Sequence, residues 1–155
     1  MQLEAVYPIV VTDRLAECRD FYTRWFGFEI VFEASWFVYL SAGGDRPHGI
    51  AFMAGDHPSQ PPGPETFEGK GMFLTLQVAD AAAEFERLRA GGLAIAWPLR
   101  DEPWGQRRFG LLDPAGMWVD VVQQIEPGPG FWDEYTTAAA SRFSRTDRLR
   151  KRRTP

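Results

Sequence analysis

The residues best suited to chemistry in this sequence are large aromatic side chains and one isolated carboxylate in its second half. Trp104 lies in the stretch PWGQRRF, and Trp118 and Asp120 follow in MWVDVV. Because side chains alternate between faces along a strand, Trp118 and Asp120 should share one face. A tryptophan offers a flat apolar surface and one N–H donor, and a carboxylate can accept a hydrogen bond or a proton. These residues therefore predict either binding of a planar ligand or acid–base chemistry at Asp120.

Other common arrangements of catalytic residues are absent from the sequence. It contains no Gly-rich phosphate loop, no nucleophile elbow and no histidine paired with a plausible nucleophile. The single cysteine, Cys18, falls on the apolar face of a predicted helix, which favours a buried thiol over a nucleophile. His48 falls at a strand entrance and His57 in a Pro-rich segment, where surface or turn roles are favoured over metal binding.

Two segments of the chain share one pattern, and that pattern organises the whole sequence. TDRLAECRDFYTRWFGFEI, from Thr12, and ADAAAEFERLRAGGLAI, from Ala79, each contain an aspartate, an amphipathic helix pattern, a glycine stop and the start of a strand. Such self-similarity predicts two copies of one structural unit. The expected fold is therefore α+β, with two tandem β-α-β-β-β modules at about 4–55 and 72–126 in a single domain over 1–126.

The first copy contains one helix and four strands. Asp13 is expected to cap the helix, and Gly27 is expected to end it. The β-branched and aromatic runs predict strands at 6–11, 28–34, 35–42 and 48–55, with GGDRP as the hairpin between the last two.

The second copy follows a linker, residues 56–71, that is rich in Pro and Gly. Asp80 is expected to cap its helix, and Gly91 and Gly92 are expected to stop it. DPAG, residues 113–116, has the composition of a type I turn. Strands are predicted at 72–78, at LAIAW (93–97), at QRRFGLL (106–112) and at MWVDVVQQ (117–124).

Charge is distributed unevenly along the chain. Residues 1–126 contain ten Lys/Arg and eighteen Asp/Glu, a net charge of −8, whereas residues 127–155 contain seven and three, a net charge of +4. The acidic body disfavours nucleic acid as a partner and favours neutral or cationic ligands. The C-terminal extension, 127–155, is expected to be partly helical from Phe131 and frayed at its end, although its RLRKRR run leaves a nucleic-acid or membrane contact open. No signal peptide or membrane span is visible, which predicts a cytoplasmic protein.

In the order and spacing of these segments, the sequence resembles the vicinal oxygen chelate superfamily. This is the group of glyoxalases, bleomycin-resistance proteins and ring-cleaving dioxygenases. The resemblance lies in VVTDRLAECRDFYTRWFGFEIVFE, VADAAAEFERLRAGG and EPWGQRRFGLLDPAGMWVDVV, and covers about residues 4–125. It implies that the two curled sheets form a U-shaped cleft over which substrates or drugs bind. It also implies a homodimer.

The same resemblance places this chain among the members without a metal. In metal-dependent members the ligands come from the opening and last strands of each module, and the matching positions here include Val6, Phe73 and Asp120. Valine and phenylalanine cannot coordinate an ion, and one carboxylate does not hold a catalytic divalent metal. No metal or cofactor is therefore expected, and glyoxalase I or extradiol dioxygenase activity is excluded because both need the ion.

Aromatic surface is expected to replace the metal as the main feature of the cleft. Six tryptophans in 155 residues exceed what a small core commonly uses, although each aromatic residue taken alone could simply fill the core. Trp104 could either face the cleft or cover a sheet edge. Arg107 and Arg108 should point to opposite faces, so that one of them could reach the cleft. Pairing with Asp120, Asp101 or Glu102 is the structural alternative. The expected ligand-binding residues are Trp36, Tyr39, Phe52, Phe73, Thr75, Trp104, Arg108, Trp118 and Asp120.

Three functions remain open on the sequence. The first is a metal-independent protein of the bleomycin-resistance type that sequesters an aromatic, antibiotic-like compound, with Asp120 meeting a donor or a cation. The second is a metal-free isomerase, cyclase or epimerase that uses Asp120 as acid or base, with Thr75, Gln77 or Tyr39 orienting a carbonyl. The third, least favoured, is a protein-interaction module that works through the basic tail.

Overall fold

The computed structural model describes residues 6–43, 48–56 and 65–133, which contain two β-α-β-β-β modules. This arrangement confirms the predicted α+β fold and the internal repeat. The first module consists of β1 (Ile9–Val11), α1 (Leu15–Phe26), β2 (Glu29–Ala34), β3 (Phe37–Ala42) and β4 (His48–Met53). The second consists of β5 (Phe73–Gln77), α2 (Ala81–Ala90), β6 (Trp97–Glu102), β7 (Gln106–Leu112) and β8 (Trp118–Gln124).

The two sheets have the same topology. Their strand orders are β1-β4-β3-β2 and β5-β8-β7-β6, so the first strand of each module pairs with the last. That pairing is parallel in both modules, and the other pairs are antiparallel. Each helix packs on one face of its own sheet. We call the opposite face of each sheet its open face.

Helix α1 begins differently from the expectation. Asp13 was expected to cap it, but the N-cap residue is Arg14 and no side chain caps the helix. Thr12 Oγ1 accepts a hydrogen bond from the Arg14 N–H at 3.1 Å, which orders the residues just before the helix without capping it. The predicted end is confirmed, since Gly27 has φ 67° and its N–H donates to Tyr22 O.

Helix α2 begins as the sequence indicates. Asp80 is its N-cap, and its side chain accepts hydrogen bonds from the N–H groups of Ala82 and Ala83, both at 3.0 Å. These bonds satisfy two of the amide groups that a helix start leaves without partners. Gly91 follows the last helical residue, as predicted.

Several strand bounds differ from the sequence prediction. The first strand begins at Ile9 instead of residue 6, and β3 begins at Phe37 because residues 35–36 form the turn after β2. The prediction of a strand at 93–97 is wrong in its bounds, because the strand runs over Trp97–Glu102. Leu93 N–H still donates to Leu88 O at the end of α2, which delays entry into the sheet. Pro98 is tolerated because β6 is an edge strand.

The core on the helix side of the sheets is continuous across both modules. One cluster of buried side chains includes Tyr22 and Phe28 from the first module and Leu88 and Met117 from the second. Phe52, which we expected to line the ligand cleft, belongs to this cluster and has no exposed surface. The expectation was wrong because Phe52 pairs with Val38 on the face that packs against α1.

Some sequence predictions fall outside the described residues. These include most of the GGDRP hairpin, half of the linker with His57, and the basic end of the C-terminal extension. Residues 131–133 are described and form turns, with Phe131 N–H donating to Gly128 O and Asp133 N–H to Gly130 O. No helix in the described part of the chain is long and apolar enough to cross a membrane.

Candidate functional site

Asp120 is the centre of a polar cluster on the open face of the second module. It lies on β8 and is 4% exposed. Its Oδ2 accepts a hydrogen bond from Arg108 Nη1 at 2.8 Å, and its Oδ1 accepts one from Trp118 Nε1 at 3.0 Å. Both carboxylate oxygens are therefore engaged within the protein, and one of the contacts is a charge-assisted pair.

Arg108 is held by two carboxylates at once. Besides the contact with Asp120, its Nε donates to Glu102 Oε1 at 3.1 Å, and its Cζ lies 5.2 Å from the centroid of the Trp104 ring. Burial alone lowers the pKa of the guanidinium, but the hydrogen bonds and charges of the two acids raise that pKa overall. The predicted opposition of the two arginines is confirmed, because Arg107 pairs with Asp101 instead.

Trp118 lies against the backbone of the neighbouring strand. A Cβ placed on Gly110 of β7 would lie 2.6 Å from Trp118 Cε2 and closer still to Cζ2. Gly110 is the cross-strand partner of Asp120, which accepts the indole N–H. Gly110 leaves room for the indole against the sheet, and the buried Asp120 accepts its N–H and so sets its orientation. Any larger residue at position 110 would prevent this placement.

Phe73 and Thr75 extend this open face onto β5. In the parallel pairing of β5 with β8, Phe73 is the partner of Trp118 and Thr75 is the partner of Asp120. Both side chains are exposed, whereas Leu74 between them is partly buried and packs on the core, which matches the predicted alternation.

Trp104 occupies the turn between β6 and β7 and is partly buried. Its Nε1 donates to Gln106 Oε1 at 2.8 Å, and its ring centroid lies 6.3 Å from that of Phe131. Trp132 Nε1 donates to the Trp104 carbonyl oxygen at 2.9 Å, so the start of the C-terminal extension is fastened to this turn. Trp104 therefore covers the end of the hairpin and borders Arg108, and its contact with a ligand stays a prediction.

The open face of the first module also has aromatic side chains. Tyr39 lies across Gly49, where a Cβ would be 2.6 Å from the tyrosine hydroxyl oxygen, and the Tyr7 ring centroid is 4.6 Å from that of Tyr39. Trp36 lies in the β2–β3 turn, with its ring centroid 5.6 Å from that of Phe37. Trp36 and Tyr39 are thus on the first module, apart from the hydrogen-bonded cluster around Asp120.

Sequence reasoning missed three aromatic residues here. They are Tyr7, Phe32 and Phe37. The side of Phe37 follows from that of Tyr39 by the two-residue period of β3, a signal that was available. Phe32 was hidden because the pairing of β2 with β3 shifts between Ile30 and Phe32, which breaks the alternation that its sequence displays.

A cavity of about 890 Å³ is lined by residues of both modules. It is bordered by the end of α1, the β3–β4 strand ends, β5 and α2, and Thr75 lines it next to the position of Asp120 in β8. Its walls are mixed in character and include Trp25, Phe26, Phe28, His48, Thr75 and Gln77. Charged groups also line this cavity, namely Arg24, Glu84 and Arg87, and Glu84 pairs with Arg87 on α2. On the open face, Arg108, Asp120 and Trp118 form one hydrogen-bonded cluster beside exposed aromatic surface, so we take the open face as the candidate site.

The residues at the family's metal positions do not fit a divalent ion. Val6 and Phe73 provide no donor atoms, and both oxygens of Asp120 accept hydrogen bonds from Arg108 and Trp118. No group of three or more His, Cys, Asp or Glu side chains within the described ranges is placed to hold a metal. Catalytic metals usually need about three protein ligands, so this donor set does not suit one.

Comparisons with solved structures find the same fold. A glyoxalase/bleomycin resistance protein/dioxygenase from Nocardioides is 22% identical, with 84% of this chain and 90% of that chain covered and a TM-score of 0.65. TioX from Micromonospora sp. ML1 is 20% identical, with 79% and 99% covered and a TM-score of 0.61. Lactoylglutathione lyase from Agrobacterium tumefaciens is 22% identical, with 79% and 96% covered and a TM-score of 0.56. At these identities the likeness concerns the fold alone.

Comparisons of sequence give a consistent result. No curated protein matches the chain. One family model does, over residues 5–121, which is most of the two-module body. By this match and by its fold, the chain belongs to the glyoxalase/bleomycin resistance protein/dioxygenase superfamily.

Proposed function

We propose that this protein is a metal-independent binding protein that sequesters a planar aromatic, antibiotic-like compound in the cytoplasm. Aromatic side chains on both open faces support this function, since large flat surfaces with few polar groups are typical of small-molecule sites. On the first module they include Trp36 and Tyr39, and on the second they include Phe73 and Trp118. Binding alone would be the function.

The observation that carries the proposal is the fixed indole of Trp118. Gly110 lets the ring lie against the backbone, and the hydrogen bond to Asp120 sets its rotation. A ring whose orientation is already set loses little conformational freedom when a second ring stacks on it, so the ordering cost of binding is small. Core packing alone would not require an aspartate that accepts the N–H of a half-buried indole.

The alternative is a metal-free isomerase, cyclase or epimerase that uses Asp120 as acid or base. In the structure this carboxylate forms an ion pair with Arg108 and accepts a hydrogen bond from Trp118. It could take a proton from a substrate only after leaving Arg108, which is itself held by Glu102. The geometry therefore favours Asp120 as the residue that positions its two neighbours.

The binding function can be tested by calorimetric titration with planar compounds such as flavone, acridone and 9-aminoacridine. Trp118→Leu removes the stacking surface and should weaken the best ligand about tenfold or more. Phe85→Leu is the control, because Phe85 lies on α2 with its ring against Phe109 on the helix side, and it should leave affinity within about twofold. Equal losses in the two variants, or no binding by any compound, would count against the proposal.

Binding and catalysis can be separated by recovering the ligand. After long incubation with wild-type protein, mass spectrometry should return the bound compound unchanged. Asp120→Asn should then alter affinity without creating or abolishing any product. Conversion of the compound by wild-type protein, lost in Asp120→Asn, would instead establish the enzyme.

We also propose that two copies of the chain form a homodimer. Strand β2 is at the edge of its sheet, and Ile30, Val31 and Phe32 along it are exposed. Exposed apolar edge strands are uncommon in monomers because they favour association. A second chain would cover this strand.

A further inference from the structure

The polar group that the open face offers to a ligand is Arg108 and not Asp120. The sequence suggested that Asp120 would meet a donor or a cation from the ligand. In the structure the cation is the chain's own Arg108, whose Nη1 lies 2.8 Å from Asp120 Oδ2, while Trp118 occupies the other oxygen. With 4% exposure, the carboxylate has little surface left for a second partner.

Arg108 keeps hydrogen-bonding capacity after these contacts. A guanidinium has five N–H donors and no acceptor. One donor at Nε is used by Glu102 and one at Nη1 by Asp120, whereas the remaining N–H groups have no acceptor among the residues that the structure describes. The side chain is 25% exposed, so these donors are open to a ligand.

The position of Arg108 makes these donors useful to a stacked ring. Asp120 binds both the guanidinium and the Trp118 indole, which places the two side by side on the same face. A planar compound stacked on Trp118 would therefore bring its edge to Arg108. Glu102 and Asp120 hold the guanidinium from the protein side, so it is set in orientation before the ligand arrives.

The charges near Arg108 determine which polar groups suit it. Two carboxylates, Glu102 and Asp120, contact Arg108, and Glu102 also lies 3.9 Å from a second guanidinium, that of Arg100. Two negative and two positive charges therefore meet here. The cluster is close to neutral, so it neither demands a full negative charge nor attracts a cation. A hydrogen-bond-accepting oxygen satisfies the open donors, whereas an ammonium group would face a guanidinium.

We propose that the ligand, within the binding function proposed above, is a planar aromatic compound whose edge carries an accepting oxygen, either a carbonyl or a carboxylate. Arg108 recognises that oxygen while Trp118 stacks on the ring. Asp120 and Glu102 are positioning residues that orient Arg108.

The test uses one aromatic ring with four substituents. 2-Acetylnaphthalene carries a neutral carbonyl, 2-naphthoate a carboxylate, 2-naphthylmethylammonium a cation, and 2-ethylnaphthalene no polar group. By calorimetry, wild-type protein should bind the first two about tenfold more tightly than 2-ethylnaphthalene, and the cation more weakly than all three.

A double variant at Arg108 and a control variant at Arg107 show whether Arg108 is responsible for the preference for an accepting oxygen. The double variant Arg108→Gln with Asp120→Asn removes both charges together, so that no buried carboxylate is left unpaired. It should reduce the oxygen preference, which is the ratio of affinities for 2-acetylnaphthalene and 2-ethylnaphthalene within one variant, to about twofold or less. Any loss that Asp120→Asn causes through Trp118 affects both compounds and cancels in this ratio. Arg107→Gln, on the neighbouring residue but paired with Asp101, should keep the full preference. Circular dichroism would confirm that both variants fold. Arg108→Lys keeps the positive charge but loses the planar set of donors, so it should reduce the oxygen preference by less than the double variant does.

The outcomes separate the ligand class from the binding function. If all four compounds bind alike, or if the cation binds best, the assignment to Arg108 is overturned while aromatic binding stands. A preference that survives in the double variant would overturn it as well. If none of the compounds binds, the proposed binding function fails, and this assignment fails with it.

Discussion

The Tyr22 hydroxyl donates a hydrogen bond to Asp113 Oδ2 at 3.1 Å and thereby joins α1 of the first module to the β7–β8 turn of the second. Both residues are buried, and Asp113 Oδ1 also accepts from the Met117 N–H at 2.8 Å. A carboxylate that is almost without solvent depends on such partners, because an unsatisfied buried polar group is costly. This contact is therefore a specific link within the core that the two modules share.

Removal of the Tyr22 hydroxyl should destabilise the protein. Tyr22→Phe keeps the ring and leaves Asp113 Oδ2 without this donor, so we expect the free energy of unfolding to fall by about 1–3 kcal/mol in urea. Tyr7→Phe is the matched control, because Tyr7 is exposed and its change should stay within about 0.5 kcal/mol. Equal effects of the two changes would show that the Tyr22–Asp113 contact contributes nothing.

The pH dependence of stability should show the burial of Asp113. Desolvation raises the pKa of this carboxyl, although the hydrogen bonds from Met117 and Tyr22 oppose the shift. A group whose pKa is higher in the folded state contributes stability that is full below its unfolded value, about 3.9, and is lost as pH rises through the folded value. Stability of wild-type protein relative to Asp113→Asn should therefore decline as pH rises from that point. A difference that stays constant with pH would contradict the raised pKa.

The glycine beneath Trp118 should matter for both folding and ligand binding. Gly110→Ala places a Cβ on top of the indole and should displace it from Asp120, at a stability cost of about 1–3 kcal/mol. Affinity for the best aromatic ligand should fall about tenfold. Gly55→Ala, where a Cβ would make ordinary contacts at 3.5 Å and 3.6 Å, is the control and should leave affinity unchanged. Retained affinity in Gly110→Ala would show that the position of Trp118 is not part of the site.

Divalent metals should leave the stability of the protein unchanged. A ligand that binds only the folded state raises the melting temperature by mass action, but Val6 and Phe73 offer no donors and the Asp120 oxygens are engaged. EDTA-treated protein should therefore show no thermal shift with Mn, Fe, Ni or Zn ions, yet a clear one with its aromatic ligand. A saturable metal shift that disappears in Asp120→Ala would reverse this assignment.

The proposed dimer should depend on the exposed edge strand β2. Phe32→Lys places a charge in the middle of that strand, so sedimentation should show dissociation at concentrations at which wild-type protein is dimeric. Leu112→Lys provides a control, since Leu112 is similarly exposed but lies in the other sheet. A wild-type protein that sediments as a monomer would end the dimer proposal.

The features of this protein that its sequence determined are local. Gly27 ends α1 because an L-residue rarely adopts its positive φ, and Asp80 caps α2 through amides two and three residues away. Asp113 and Gly116 close the β7–β8 turn through one backbone hydrogen bond at 3.0 Å. A helix, a glycine after it and three further strands occur in the same order in both halves of the sequence, and this repeat specified the two modules.

Tertiary structure decided the features that depend on partners far apart in the chain. Phe52 was assigned to the wrong face because its side depends on pairing with β3, and the bulge in β2 hid Phe32. Asp120 was expected to meet a ligand, and its pairing with Arg107 or Arg108 was left open as an alternative. The contact between β7 and β8 shows that Arg108 pairs with it. Strand register and the choice of an ion-pair partner arise from packing between elements, so residue types and spacing alone could not supply them.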